Sequence, residues 1–455
     1  MIKKILIANR GEIAVRIIRT CKEMNIDTVA IYSTADKESL HVQLAHEAVC
    51  VGSHKSIDSY LNENSIIEAA LCTQCDAIHP GFGFLSENSG FAKKIIEAGL
   101  IFIGPSPEII DLMGDKNNAR NMMKKANVRI IPGSEEIYHD VKKAKKFADS
   151  IGYPVMIKAS SGGGGRGIRL CYQESEFENA FLSAKQESKV CFKNEDIYIE
   201  KFISSPKHIE VQILGDKFNN VVHLYERDCS FQRRNQKMIE EAPCFTLDKS
   251  LRNKICQEAI KASKYVGYDS VGTIEFLLDD KNEFYFLEMN TRIQVEHPIT
   301  EMITGIDIIK HQIRVSDNQP LNIKQEDIKC EGYAIECRIN AENPKDNFAP
   351  SSGKIKFLNL PTGNGIRIET AVYNGYEIPP FYDSMILKII AYAPTRLACI
   401  KRMRIALEEL IIDGINNNVE FHYLALHHKK FIEGKYNTSF ADEFIEEIKN
   451  NGAFI

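Results

Sequence analysis

Short aliphatic runs alternate with amphipathic segments over the first hundred residues, and this alternation restricts the possible folds more than any other feature. Residues 3–8 (KKILIA) read as a strand, and the apolar spacing through GEIAVRIIRTCKEM (11–24) reads as a helix. DTVAIYS, EAVCVG, CDAIHP and LIFIGP read as further strands, several followed by helical stretches. Apolar strands need helices to cover both faces, so the alternation predicts an α/β domain with a mostly parallel, doubly wound sheet. The helix at Gly11 begins beyond a strand's carboxyl end, where such sheets place anions.

The texture changes twice along the chain. Helical patterns at 116–127 and 140–151 precede YPVMIKA, a glycine-rich turn and IRLCY. YIEKFI, HIEVQIL, VVHLYERD, GTIEFLL and EFYFLEMN then follow as strands separated by short polar turns, an α+β and largely antiparallel pattern. Near residue 330 a third texture begins with YAIECRINAEN, and the chain becomes helix-rich after about residue 395. The expected divisions are 1–113, 114–329 and 330–455. There is no internal repeat and no low-complexity tract.

Charge and cysteine usage exclude several classes. With 57 Lys plus Arg against 62 Asp plus Glu, the net charge is −5, which offers no global attraction to nucleic acid or anionic lipid. Any anion must therefore be held by local basic residues. The apolar run near the start, Ile5 to Ala8, is shorter than the ~7–15 residues of a secretory signal. No stretch approaches the ~18 apolar residues of a membrane span. Cys50, Cys191, Cys256, Cys337 and Cys399 lie in apolar segments, as buried free thiols do in a reducing cytosol. The one CxxC, Cys72 and Cys75, lacks the second pair of a zinc ribbon. A cytoplasmic protein is expected.

Residues 162–167 read GGGGRG and satisfy GxGxxG, but IRLCY beyond them is strand-like and no helix starts there. Ile168 follows Gly167, so the P-loop pattern fails as well. What remains is a strand–glycine loop–strand, like a lid whose backbone N–H groups approach phosphates. The alternative is a plain flexible hairpin; the ordering entropy of four successive glycines favours the lid. Lys158, one strand step earlier, is placed to meet a phosphate.

The richest run is EFLLDDKNEFYFLEMNTRIQVEHP (275–298). Asp279–Asn282 is a turn signal, and folding there sets Glu275 roughly opposite Glu288, give or take one pairing step. If the strand period of two persists, Glu288, Asn290, Arg292, Gln294 and Glu296 share one face. Oxygen donors Glu275, Glu288 and Asn290 suit Mg²⁺, Arg292 suits an oxyanion, and Glu296 is a candidate base. A solvated strand face is the alternative, against which the aliphatic flanks and the hairpin argue. Arg227, Arg233, Arg234 and Lys237 in ERDCSFQRRNQK, and Glu336, Arg338 and Asn340 in YAIECRINAE, are compatible with either surface or site. His79, between a strand and two glycines, fits a structural role better than a catalytic one.

ANRGEIAVRIIR (8–19), HPGFGFLSEN (79–88), MGDK (113–116), IKASSGGGGRGIR, ERDCSFQRRNQK and EMNTRIQVEHPITE (288–301) together resemble biotin carboxylase, an ATP-grasp enzyme. YAIECRINAE and PPFYDSMI (379–386) extend the likeness to about residue 395. The resemblance implies a Rossmann-like N-terminal domain, an ATP-grasp region whose mobile Gly-rich lid spans about 131–202, and a C-terminal α+β domain completing the site. It implies that ATP and bicarbonate form carboxyphosphate, which carboxylates biotin.

Carried over position by position, the resemblance implies ATP contacts at Lys116, Lys158, Gly163, Gly164, Gly165, Glu200, Lys201, His208, Gln232 and Asn235. It implies Mg²⁺ or Mn²⁺ at Glu275, Glu288 and Asn290. Bicarbonate falls to Lys237, Arg292, Gln294 and Val295, with Glu296 as its base, and Arg338 stabilises biotin's enolate. Arg19, Glu23 and Arg367 match positions of a homodimer interface. Asn235, Ser161 and Phe82 replace a His, a Gly and a Tyr common in the family. No lysine sits in an AMKM-type biotinylation motif, so biotin is expected on a separate biotin carboxyl carrier protein, serving carboxyltransferase subunits of an acetyl-CoA carboxylase. The pyruvate and propionyl-CoA systems share this half-reaction. Another bicarbonate-activating ligase of the carbamoyl-phosphate type, or a nucleotide-binding regulator without catalysis, are the other readings. The intact charged set argues against the last.

Overall fold

The structure is a computed structural model, described for residues 1–134, 136–159, 167–192 and 194–451. It divides into two compact units. One contains Met1–Gly114, Lys207–Glu275 and Met289–Ile455; the other contains Asp115–Pro206 and Phe276–Glu288.

In the first unit a parallel sheet has the order Glu47–Gly52, Asp27–Ser33, Lys4–Ile7, Ala77–His79, Ile101–Phe102. Successive residues of Lys4–Ile7 point to opposite faces. Ile5 and Ile7 join one apolar cluster with Ile13 and Ile17 of helix Gly11–Glu23, while Leu6 joins another with Val29, Ile31 and Ile78. Burial on both faces is what the doubly wound reading requires. Strand order reverses between Lys4–Ile7 and Ala77–His79, and Asn9 ties the loops there by donating to the carbonyls of Pro80 and Phe82, 2.7 Å each. Arg10, at the start of the Gly11 helix, is engaged by Asp36 at 2.7 Å.

A second, antiparallel sheet of the same unit runs in the order Val271–Leu278, Lys207–Gly215, Val221–Arg233, Gln236–Ala242, Tyr333–Asn340, Met385–Ala393, Ile366–Thr370. Beyond Val271–Leu278 it continues to Phe284–Asn290, whose final residues Met289 and Asn290 lie in this unit. The strand after residue 330 thus pairs directly with one from before residue 245. Helices Arg396–Glu409, Val419–His427 and Phe440–Asn451 supply an apolar cluster around Phe231, Cys337 and Ile389, matching the helix-rich end expected after residue 395.

The other unit is an antiparallel sheet, Ile168–Cys171, Val155–Ala159, Ile197–Lys201, covered by helices Val141–Ile151 and Phe177–Phe192. Val155, Ile157 and Ala159 alternate inward against Ala144, Ala148, Phe177 and Phe181. Gly163, Gly164, Gly165 and Ser161 lie outside the described residues. Among the described residues no helix is long and apolar enough to cross a membrane.

Two cysteine expectations divide. Cys256, Cys337 and Cys399 are buried, but Cys50 is exposed, because Glu47–Gly52 is the edge strand of its sheet. The side chain of Cys191 lies outside the described residues. His79 is buried at its strand's end, its Nδ1 accepting from the Gly81 N–H at 3.1 Å, and burial pushes its pKa down to about 3. That is the structural role.

Candidate active site

Strands Val221–Arg233 and Gln236–Ala242 form a hairpin in which Gln232 pairs with Lys237. Arg234 and Asn235 make its turn at φ 50° and 64°, a left-handed conformation that Asn accepts at little cost. Asn235 is exposed and Gln232 buried. The hairpin sends the Lys237 ammonium into a group of carboxylates. It donates to Glu210 Oε2 at 2.5 Å, Glu296 Oε1 at 2.6 Å, Glu275 Oε1 at 3.0 Å and Gln294 Oε1 at 3.1 Å. Burial disfavours the ammonium, but Glu210, Glu275 and Glu296 outweigh that and hold Lys237 well above the ordinary lysine range.

Arg338, on Tyr333–Asn340, bridges two carboxylates. Its Nη2 donates to Glu296 Oε2 at 2.9 Å and its Nε to Glu240 Oε1 at 2.5 Å. Burial would raise the Glu296 carboxyl, yet Lys237, Arg338 and Arg227 keep it well below the usual carboxylate range. Glu275 behaves alike: burial is overcome by Lys237 and His208, and its proton affinity is lowered. His208 Nε2 lies 3.0 Å from Glu275 Oε2, and this partner raises the His208 pKa against burial. Asn290 Nδ2 and Gln294 Nε2 also donate to Glu275 Oε1, at 2.9 and 3.2 Å.

The shared strand face ends at Asn290. The strand Phe284–Asn290 ends there, and residues 291–296 form a turned segment leading into helix His297–Thr304. The Gln294 carbonyl accepts from the His297 N–H at 3.3 Å and from the His297 ring at 2.8 Å, and Pro298 in the first turn preorganises the helix. Asn290, Gln294 and Glu296 are therefore gathered around Lys237 and Glu275 by a turn, not by pleating. Arg292 diverges: its Nε donates to Glu87 Oε2 at 2.9 Å and its Nη2 to Asn290 Oδ1 at 3.0 Å. Val295 contributes backbone, its carbonyl accepting from Lys388 Nζ at 2.6 Å.

In the other unit, Glu200 Oε2 accepts from Lys158 Nζ at 2.5 Å, and its Oε1 accepts from Arg120. Lys201 Nζ donates to the carbonyls of Gly152 and Tyr153, at 2.8 and 2.9 Å, just past helix Val141–Ile151, and burial lowers its pKa. Lys116 opens helix Lys116–Lys125, is largely exposed, and lies 3.5 Å from Glu288. Sequence reasoning thus named two charged groups: Lys237, Glu275, Asn290, Arg292, Gln294, Glu296, Arg338 and His208 in one unit, and Lys116, Lys158, Glu200 and Glu288 in the other.

It missed Glu210, Glu240, Glu87 and Arg120. Glu210 was accessible, because His208, Glu210 and Gln212 alternate with Ile209, Val211 and Ile213. Glu240 lies in strand Gln236–Ala242, and nothing local in the sequence marks it as a partner of Arg338. Glu336, read as possible surface, is wholly buried with its pKa raised well above the ordinary range by that burial.

Glu275 and Asn290 in one unit, and Glu288 in the other, each carry hard oxygen donors, which suit Mg²⁺ or Mn²⁺ better than a soft metal. Lys237, Arg292 and Arg338 can stabilise a small oxyanion, and Glu296 can accept its proton.

Known proteins resemble this chain along nearly its whole length. The N-terminal domain of biotin carboxylase matches residues 1–110, the ATP-binding domain of the carbamoyl-phosphate synthase L chain matches 115–324, and the biotin carboxylase C-terminal domain matches 336–443. Biotin carboxylase 1 of Bacillus subtilis is 53% identical over 98% of this chain and 99% of its own. The 2-oxoglutarate carboxylase small subunit of Hydrogenobacter thermophilus is 50% identical over 97% and 94%. A crystal structure of a biotin carboxylase–beta-gamma-ATP complex from Campylobacter jejuni superposes with TM-score 0.93, at 47% identity over 97% of this chain and 99% of that one. The biotin carboxylase subunit of a pyruvate carboxylase gives TM-score 0.87, at 51% identity over 98% and 99%. The chain belongs to the biotin carboxylase family of ATP-grasp ligases.

Proposed function

We propose that this enzyme carboxylates biotin borne on a separate biotin carboxyl carrier protein, as the first half-reaction of a cytoplasmic acetyl-CoA carboxylase. The observation that carries the chemical reading is the sharing of Glu296 between Lys237 and Arg338, at 2.6 and 2.9 Å. A base held between two cations can give up those donors to an incoming anion. Bicarbonate binding to Lys237, Arg292, Gln294 and the Val295 backbone would draw positive charge away from Glu296. Its proton affinity then rises just where bicarbonate's hydroxyl is presented.

With that proton on Glu296, a bicarbonate oxygen bonds to the γ-phosphorus of ATP and the bond to ADP breaks, giving carboxyphosphate. Lys116, Lys158, Glu200, Lys201, His208, Gln232 and Asn235 bind the nucleotide in this scheme, with the loop carrying Gly163, Gly164 and Gly165 over its phosphates. Mg²⁺, held by Glu275, Glu288 and Asn290, supplies charge neutralisation at the phosphates when bound. Carboxyphosphate then breaks the bond between its carboxyl carbon and the phosphate oxygen, and the phosphate leaves with the proton of biotin's ring N–H. Arg338 holds the enolate oxygen so formed, and the ring nitrogen bonds to the CO₂ released. Segments 1–113, 114–329 and 330–455, with a lid at about 131–202, are the proposed divisions of labour.

Carboxyltransferase subunits complete the assembly, and the enzyme works as a homodimer through Arg19, Glu23 and Arg367. A biotin carboxylase domain dimer is the form described for the H. thermophilus 2-oxoglutarate carboxylase. The likeness to that enzyme and to a pyruvate carboxylase subunit also supports a second reading, in which a 2-oxo acid is the final acceptor. The test is ATP cleavage with and without bicarbonate and free biotin. Stimulation by both is expected; cleavage indifferent to bicarbonate, or dependent on ammonia and not biotin, would overturn the reading. Isolating the endogenous biotinylated carrier with its carboxyltransferase separates the acceptors.

A further inference from the structure

Lys388 is fully buried on strand Met385–Ala393, and its Nζ makes two approaches: 2.6 Å to the Val295 carbonyl and 3.1 Å to Glu12 Oε1. Its neighbours across the sheet are Arg338 on one side and Glu369, a further buried carboxylate, on the other. Two cations on adjacent strands therefore grip successive residues of one turn. Arg338 takes the Glu296 carboxylate, and Lys388 takes the backbone oxygen immediately before it. Between them they set both ends of the path from the Val295 peptide to the Glu296 carboxylate.

Energy argues that the ammonium is there for that turn. Removing a lysine charge from water is costly, and an apolar side chain of similar volume would pack at less expense. Glu12 offers charge compensation, yet it is itself a buried carboxyl at the first turn of helix Gly11–Glu23, and burial pushes its pKa up. A Glu12–Lys388 pair alone would add two buried charges to the core for little net gain. The Val295 carbonyl gives the pair a purpose. Carbonyl and N–H point oppositely across a trans peptide, so anchoring this oxygen fixes the plane from which Glu296 departs.

We propose that Lys388 is a positioning residue for bicarbonate activation, acting through the Val295–Glu296 peptide, with Glu12 as its counter-charge; this rests on the bicarbonate-site reading given above. Lys388 touches no reactant. Its removal should loosen the placement of Gln294, Val295 and Glu296 while leaving the nucleotide groups alone.

The test compares the parent enzyme with Lys388→Met, Glu12→Gln and the double variant in ATP cleavage assays, with folding followed by thermal unfolding. The parent must first show bicarbonate-dependent cleavage, and its failure to do so would refute the functional reading before any variant is read. Given an active parent, Lys388→Met is expected to lower kcat/KM for bicarbonate about 10–100-fold, with KM for ATP within about twofold. Glu12→Gln alone should keep the bicarbonate KM within about twofold. The double variant removes both charges, so it retains the fold if the single lysine variant does not, and it should stay impaired for bicarbonate. Recovery of the double variant would overturn the proposal, since Lys388 would then serve only to neutralise Glu12. Equal losses for ATP and bicarbonate, parent-like kinetics, or unfolding of both lysine variants would overturn it as well.

Discussion

Arg338 Nη2 and Glu296 Oε2 are 2.9 Å apart, so the residue proposed to stabilise biotin's enolate already grips the residue proposed to deprotonate bicarbonate. In the proposed scheme, two half-steps of one reaction would be coupled through this contact. While Arg338 and Lys237 both hold Glu296, it is a poor base. Taking donors from it makes it a better one. With the proposed roles, the arrangement would tie proton uptake to occupancy of the site.

Arg338→Ala and Glu296→Ala should each reduce biotin carboxylation at least about 100-fold, as losses of oxyanion and general-base groups do. Nucleotide affinity should stay within about twofold, because Lys116, Lys158 and Glu200 are untouched. Steady-state assays paired with a nucleotide titration check this, and loss of nucleotide binding in both variants would contradict the role assignment.

Chelation should stop ATP cleavage, and adding Mg²⁺ or Mn²⁺ should restore it. Glu288→Gln should raise the Mg²⁺ concentration for half-maximal rate about tenfold or more by removing a charged ligand. An unchanged metal requirement would remove Glu288 from the ligand set.

Burial raises the Glu240 carboxyl to about 7, with Arg338 opposing and Glu296 adding to the rise. A carboxyl whose folded pKa lies above its unfolded value binds its proton more tightly in the folded state. Its contribution to stability is therefore fully present at low pH and declines as pH rises from about 4.5 through about 7. Glu240→Gln, a mimic of the protonated form, should flatten that stretch of a Tm-against-pH curve. A parallel curve for the variant would show that Glu240 is ionised throughout.

Arg227 is wholly buried and donates to Glu210 at 2.5 Å, Gln212 at 2.7 Å, Thr300 at 2.8 Å and Thr273 at 3.2 Å. Arg227→Met leaves Glu210 with Lys237 as its remaining cation and orphans several acceptors. Stability should fall by about 3–5 kcal/mol, read by denaturant unfolding. A fall below about 1 kcal/mol would mean that the network relaxes around the gap.

Much of this was legible because local rules and tertiary packing agreed. Ile5 and Ile7 against Leu6 declared a strand buried on both faces, and the parallel sheet followed. The turn signal at Asp279–Asn282 brings two neighbouring strands together, and at their far end Asn290 Nδ2 donates to Glu275 Oε1. The period-two extrapolation past Asn290 failed because the Gln294–His297 turn and Pro298 start a helix, and backbone hydrogen bonds there override alternation. Glu87 reaches Arg292 across 205 residues of sequence, and no periodicity reports a contact made only by folding. The resemblance implies the roles of Lys237 and Arg338; the carboxylates that share them come together only in the fold.

The pairing of Gln236–Ala242 with Tyr333–Asn340 has a practical consequence. A fragment ending at residue 329 would not expose a domain surface. It would expose an open backbone edge carrying Lys237 and missing the strand that delivers Arg338. Such an edge recruits other strands, so the fragment alone should self-associate. Supplied with a second polypeptide beginning near residue 330, it has a template ready, which makes this seam a natural place to split the enzyme and recover activity by complementation in trans.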